Sequence, residues 1–324
     1  MKKTISLLAV FCMAAAANAT ILRVSNVEGS SAPYTSISDA ISAAAEGDTI
    51  MVEGSNNTYG TLKRQDNNPI DKKVVILGPG YWLTENEKTN IGAAPAIVND
   101  IEICAEGAEI CGMYIDGRIG IYANKVIVNR CRIQWGIFID KFLENIIIHQ
   151  NAISGGIEGE LYNNSNGMFP PIVTISYMQI TNNIFLNDPS GSGREGIVKN
   201  LTQSVIANNT WAEFTGGMSN ILDSTVKDNI IVGGIHDDRC DGTTFTNNVE
   251  LEYNDVDTYS LYTDLDVMNE YTLKSHSSVG AFSGDTPYVL SGIPAGPVIE
   301  DLIVPASVEK GSKLQVTIKV GIQQ

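Results

Sequence analysis

A short phrase recurs along the middle of this chain: an apolar β-rich triplet, a two-residue polar turn, then more apolar residues. It reads Ile146-Ile147-Ile148-His149-Gln150-Asn151-Ala152-Ile153 and returns as Met178-Gln179-Ile180-Thr181-Asn182-Asn183-Ile184-Phe185. Further copies are Val205-Ile206-Ala207-Asn208-Asn209-Thr210-Trp211, Thr225-Val226-Lys227-Asp228-Asn229-Ile230-Ile231 and Thr244-Phe245-Thr246-Asn247-Asn248-Val249. Aligned on the second turn residue, the series Asn151, Asn183, Asn209, Asn229, Asn248 is spaced by 32, 26, 20 and 19 residues. A period near 20 with a variable excess is the pattern of stacked coils whose loops differ in length.

Each coil can be parsed from side-chain alternation. In Gly136-Ile137-Phe138-Ile139-Asp140-Lys141, Ile137 and Ile139 point one way, Phe138 and Asp140 the other. Asn145 to Ile148 makes a second strand, Gln150-Asn151 bends the chain sharply, and Ala152-Ile153 starts a third. Earlier coils repeat this with Gly120-Ile121-Tyr122, Lys125 to Val128 and Arg132-Ile133, and with Ile101 to Ile103, Ala108 to Ile110 and Met113 to Ile115. Coils stack about 4.8 Å apart, so eight or nine of them make a rod of roughly 40 Å. Equivalent asparagines are then expected to bond between coils and to face inward. Arg130 and Cys131 occupy the preceding turn, so this ladder begins at Asn151.

The 324 residues suffice for one elongated domain or two compact ones. The first nineteen read as a signal peptide: basic Lys2-Lys3, an apolar run from Thr4 to Ala16, and Ala17-Asn18-Ala19 before Thr20. No later segment is long and apolar enough to span a membrane. The formal charge of −16 becomes −18 without the two lysines, a field that repels nucleic acid and anionic membranes. It also weighs against a polyanionic sugar unless a basic patch or bound calcium offsets it. Cys104, Cys111, Cys131 and Cys240 show no zinc-type spacing, and the positions of Cys111 and Cys131 fit small buried fillers.

After Ile21 to Val24, Ser36 to Ala45 reads as a short amphipathic helix with a capping-box variant, Ser36 with Asp39, and Ile37, Ile41 and Ala44 on one face. Such a helix covers the open end of a strand stack. Pro33-Tyr34-Thr35-Ser36-Ile37 through Gly47-Asp48-Thr49-Ile50-Met51-Val52, then a polar loop to Tyr59-Gly60, resembles the N-terminal cap of the pectate-lyase-like superfamily. The asparagine repeats resemble that superfamily's internal ladder, and the likeness covers residues 30 to 250. It implies an all-β fold, a right-handed single-stranded parallel β-helix with an N-terminal capping helix and a C-terminal β cap. It does not fix an activity, because lyases, hydrolases, epimerases, adhesins and inert modules share this architecture. The domain plan is a signal peptide (1–19), a β-helix (20–253) and a closing segment with a hairpin (254–324) expected to seal the last coil. That closing segment resembles those of exported β-helix proteins from Bacteroidetes-type bacteria.

The resemblance places polysaccharide-cleaving sites on the outer face of the first strand of each coil. The outward column is expected to read Glu102, Tyr122, Phe138, Glu158, Val198, Ser219 and His236, with Asn124, Asp140, Lys141 and Asn200 around its end. Loops over 154–176 and 187–196 are expected to rise beside it. Tyr122 and Phe138 make either a sugar platform or an outward aromatic stack covered by a loop. His236-Asp237-Asp238-Arg239 offers two carboxylates, an imidazole and a guanidinium for calcium binding (Asp237, Asp238) or acid–base work, or else is a charged turn. Neighbours on a strand face opposite sides, which counts against Asp237 and Asp238 as a catalytic pair. Arg194, next to Glu195, has the fork geometry to hold a uronate carboxylate. His149 is expected to be solvated beside its turn, and His276 falls in the closing segment.

Signatures of known members are missing. Asn-Thr-Asp, Gly-His-Gly and Arg-Ile-Lys of polygalacturonase-like hydrolases are absent, as are Trp-x-x-Asp-His and Arg-x-Pro-x-x-Arg of pectate lyases. The expected function is therefore an exported protein, monomeric, located in the periplasm, at the cell surface or outside the cell. It binds or processes a polysaccharide or cell-surface glycan. Catalysis, if present, falls to Glu158, His236, Asp237 and Arg194, and substrate binding to Tyr122, Phe138, Asp140, Lys141 and Arg239. The alternative is a non-catalytic surface or adhesive module.

Overall fold

Isoleucine and valine at alternate positions of three-residue strands dictate the architecture, because each such strand buries one side and offers the other to water. The computed structural model describes residues 19–89, 94–162, 172–186, 197–212, 217–232, 237–252, 261–305, 307, 311 and 313–323. All but the last residue of the expected signal peptide, part of the first long loop (163–171) and all of the second (187–196) lie outside them. Among the described residues the parallel strands form three sheets of ten, eight and seven strands. The fold is a right-handed parallel β-helix. Nine intervals across the ten-stranded sheet make a rod of about 43 Å at roughly 4.8 Å per coil.

One coil shows the plan. Ile137–Ile139 lies in the seven-stranded sheet, Ile147–His149 in the ten-stranded sheet and Ala152–Ser154 in the eight-stranded sheet. Ile157–Gly159 then begins the next coil, with Ile137 beside Ile157 and Phe138 beside Glu158. Stacked inward residues such as Ile101, Ile119, Ile137, Ile157 and Val198 are buried and form one continuous core. Phe185 and Trp211, in register in the eight-stranded sheet, stack inside it with centroids 4.5 Å apart. At the N-terminal end the helix Ile37–Ala43 buries Ile37, Ala40 and Ile41. Ser36 caps it by accepting from the Asp39 amide at 3.0 Å.

The asparagine ladder forms as expected. Asn151, Asn183 and Asn209 each donate from Nδ2 to the Oδ1 of the next asparagine at 3.0–3.1 Å, and Asn229 reaches Asn248 at 2.8 Å. Each Oδ1 also accepts the backbone amide of the preceding rung, and Asn151 Oδ1 accepts from Cys131 N at 2.9 Å. The left-handed residue of each turn is the one before the rung: Arg130, Gln150, Asn182, Asn208, Asp228 and Asn247 all have φ between 51° and 57°. Cys111 and Cys131 are buried fillers, and burial raises the Cys111 thiol to about 12. A second ladder runs beside the first: Ser204 Oγ, Ser224 Oγ and Thr243 Oγ1 accept from Met178 N, Ser204 N and Ser224 N.

The closing segment does not end at the last coil. Residues 261–294 lie along the outside of the eight-stranded sheet as a strap. From Asp264 beside Asn86, near the first coils, they reach Ala212 with Tyr271 and Asp228 with Gly280, and from there they run back toward the first coils. Val267, Tyr271, Val279, Ala281 and Tyr288 pack on Ala152, Ile184, Ala212 and Ile230. The left-handed turn residues hold it in order. Gly280 donates to Asp228 O, Asn208 Nδ2 to Ser283 Oγ, Asn182 Nδ2 to the Ala281 and Ser283 carbonyls, Gln150 Nε2 to Pro287 O, and Arg130 Nη1 to Ile293 O. Gly280, at φ +79°, sits where a Cβ would come within 2.6 Å of Ile230 Cδ1. The strap ends with Pro294 against Gly112, so the antiparallel hairpin Gly296–Ile303 with Thr317–Gln323 leaves the rod near its first coils. A hairpin sealing the last coil is therefore not what this segment builds; repeated turn side chains with spare donors draw it back along the rod.

Candidate functional site

The register of the seven-stranded sheet corrects the expected outward column. Glu102 lies beside Gly120, Gly120 beside Phe138, Phe138 beside Glu158, Glu158 beside Lys199, Lys199 beside Ser219, and Ser219 beside Asp238. Val198 is an inward residue, fully buried beside Ile157. Tyr122 lies just past its strand, and its ring folds back over the column position that Gly120 leaves empty. A Cβ on Gly120 would come within 2.8 Å of Tyr122 Cε2. The aromatic therefore fills the column from two residues away, a placement that alternation alone does not predict.

Tyr122 and Phe138 meet with centroids 6.2 Å apart and planes at 50°. Above them the chain makes an excursion the sequence did not announce. Leu62 and Ile70 bridge to Ile101 and Ile103, so residues 63–69 loop out opposite Glu102. A 3-10 turn at Arg64–Asp66 sets the Arg64 guanidinium 3.6 Å from the Tyr122 ring centroid. Arg64 also donates to Glu102 Oε2 from its backbone amide at 2.8 Å and from Nε at 3.0 Å. Beside it Lys63 pairs with Asp100, whose Oδ1 accepts the Arg118 amide at 2.8 Å.

These groups surround a groove of about 660 Å³, with Phe138, Tyr122 and Trp135 as aromatic walls and Asp100, Glu102, Asp116, Lys63 and Arg118 as charged ones. Burial pushes the Asp100 carboxyl up, but the Arg118 amide and Lys63 outweigh it and hold the group below the usual carboxylate range. Glu102 behaves alike: burial raises it, and the amide and guanidinium of Arg64 bring it below its ordinary value. Both are thus anions at neutral pH, able to accept hydrogen bonds and unable to donate a proton. Burial raises the Tyr122 phenol, so it stays a neutral donor.

The remaining site residues are dispersed. Glu158 is exposed and pairs with Lys199 at 3.1 Å, one coil beyond Phe138. Lys141 pairs with Glu160 at 2.9 Å, and Asp140 Oδ1 accepts the Lys141 amide, so both are engaged at the strand's end. The backbone of Asp237 is in register with Met218 and that of Asp238 with Ser219. Asp238 is four coils from Phe138, about 19 Å at the stacking distance, so the groove and the acidic cluster are separate places. The side chains of Asp237 and Asp238, on which the calcium reading rests, and all of Arg194, Glu195 and His236 lie outside the described residues. Arg239 is exposed at a left-handed turn (φ 55°). His149 is half-buried rather than solvated, with Nδ1 2.8 Å from Thr181 Oγ1, and burial lowers its pKa.

Lys63, Arg64, Asp100, Asp116, Arg118 and Trp135 were not among the sequence candidates. Asp100 and Glu102 alternate along one outward face, which the sequence does display; the excursion that brings Lys63 and Arg64 onto them carries no repeat signal. Among the described residues, no helix is long and apolar enough to cross a membrane. Comparison with protein-family models and with curated proteins finds no match for this chain.

Proposed function

We propose that this protein is an exported glycan-binding β-helix that holds a polysaccharide chain in the groove beside Phe138. The observation that carries the reading is the combination of half-buried aromatic rings with ionised, hydrogen-bond-accepting carboxylates in one open groove. Sugars present apolar ring faces and a belt of hydroxyl donors, and concave sites with aromatic surface and a few placed polar groups match that chemistry. Arg64 covers Tyr122, so Phe138 is the ring of that pair left to meet a sugar face. The mixed charges and the net −16 favour a neutral or sparsely charged glycan over a polyuronate. The likeness of the N-terminal cap and ladder to the pectate-lyase-like superfamily supports the glycan class, and the basic–apolar–small start of the chain supports export.

Binding without cleavage is the form the electrostatics favour. Hydrolysis by paired carboxyls needs one of them protonated at working pH, which requires a raised pKa. Asp100 and Glu102 are both shifted the other way. The experiment is a panel of neutral and acidic polysaccharides, scored for retention by the immobilised protein and for turnover by reducing ends and by the absorbance of unsaturated products. Retention of a neutral glycan without turnover is expected. Turnover that survives Glu102→Gln and is abolished by His236→Ala would place the function at the other end of the rod.

A further inference from the structure

The outward column of the eight-stranded sheet starts with Ile97, Tyr114 and Arg132 and continues through Ala152, Ile184, Thr210 and Ile230. The strap covers this column from Ala152 onward. At its uncovered start lies a second pocket of about 460 Å³, on a different face from the groove, lined by Trp82, Tyr114, Arg132, Asn56, Thr84 and Glu85 among others.

Arg132 is the anomaly in that pocket. It is buried, with 8% of its surface exposed, and among the described residues no carboxylate lies within ion-pairing distance of it. Nη1 donates to the carbonyls of Ile133 and Ala152 at 3.2 and 3.3 Å, and Nη2 donates to Ser154 Oγ at 2.8 Å. A guanidinium has five N–H donors. At least two of them, Nε–H included, have no acceptor among the described residues. The Trp82 ring lies 5.3 Å from the guanidinium carbon, and Trp82 itself has φ +49°, a conformation a bulky residue adopts only when its surroundings impose it. A buried cation held by neutral acceptors is poised for an external anion. The rim carboxylate of Glu85 limits how much negative charge that anion can bring.

We propose that the pocket between Trp82, Tyr114 and Arg132 binds a sugar ring carrying one oxyanion, a carboxylate or a sulfate, with the anion on Arg132 and the ring against Trp82 and Tyr114. This site is independent of the Phe138 groove and needs no catalysis. The test is calorimetric titration of the full chain with glucuronate, glucose 6-sulfate, glucose and inorganic sulfate, with the Trp82 indole N–H followed by NMR. At least one charged sugar binds tenfold or more tightly than both glucose and inorganic sulfate, and moves the Trp82 resonance. Arg132→Met, similar in volume and free of the buried charge, abolishes the preference; Tyr114→Ala weakens binding of that sugar, and Phe138→Ala leaves it unchanged. Equal affinity for glucose overturns the proposal. So does a preference that survives Arg132→Met, or, if that variant does not fold, one unaffected by Tyr114→Ala.

Discussion

The guanidinium of Arg64 lies over the ring of Tyr122 while its Nε bonds Glu102, so one side chain ties a loop, a carboxylate and an aromatic into the groove wall. Removing it isolates that tie. In Arg64→Ala, Glu102 loses its guanidinium partner and its carboxyl titrates at higher pH than in the parent, measured by carboxyl-carbon NMR. The stability loss stays below about 1 kcal/mol, because a solvent-facing ion pair and cation–π contact contribute little. An unchanged Glu102 titration would show that the Arg64 backbone amide alone holds the carboxylate.

Asn183 tests the ladder. It donates to Asn209 Oδ1 and Ile148 O, and its Oδ1 accepts both the amide and the side chain of Asn151. Asn183→Ala strands several buried polar groups at once, each costing about 1–3 kcal/mol when left unpaired, so a total loss of roughly 2–4 kcal/mol is expected in urea denaturation. A loss under about 0.5 kcal/mol, the range of an ordinary surface substitution, would mean water replaces the rung.

Asn182, the neighbouring residue, tests the strap. Asn182→Gly keeps the left-handed backbone easy and deletes only the two side-chain bonds to Ala281 and Ser283. Hydrogen exchange of the amides of Gly280, Ala281 and Tyr288 then accelerates about tenfold, equivalent to roughly 1.4 kcal/mol, while the ladder amides stay protected. Exchange that accelerates equally in both regions would show that the strap and coils open as one unit.

Asp264 gives the strap a pH dependence. Burial raises its carboxyl to about 6, although the Ser291 amide, Asn86 and Tyr288 all donate to it. Between about pH 4 and pH 6 the folded chain thus holds a proton that the unfolded chain, with an ordinary value of about 3.9, has released. Its contribution is fully present below about pH 4 and is lost as pH rises through about 6, by roughly 3 kcal/mol at most for a two-unit shift. Asp100 and Glu102 act oppositely, contributing above their unfolded values and losing that as pH falls through their lowered folded ones. A carboxyl-carbon titration placing Asp264 near 6 is expected; a midpoint below 4 would contradict it.

The ladder was legible because its inward asparagines recur at one point of each coil, and burial permits few other residues there. The serine ladder carries the same signal, since Ser204, Ser224 and Thr243 keep the 20- and 19-residue steps of Asn209, Asn229 and Asn248. The outward column was half legible. Phe138 and Glu158 follow from alternation, whereas Tyr122 reaches the column only by folding over Gly120. The loop carrying Lys63 and Arg64 and the strap from 261 to 294 occur once each, so no periodicity marks them. Their positions depend on contacts distant in sequence, such as Arg64 with Glu102 and Asn182 with Ala281.

The most direct measurement is the affinity of a neutral oligosaccharide, chosen as the strongest hit of the glycan panel, for the parent and for Phe138→Ala. The groove reading predicts affinity at least tenfold weaker in Phe138→Ala, about 1.4 kcal/mol, with the thermal midpoint little changed. An oligosaccharide that binds Phe138→Ala as tightly as the parent would contradict it.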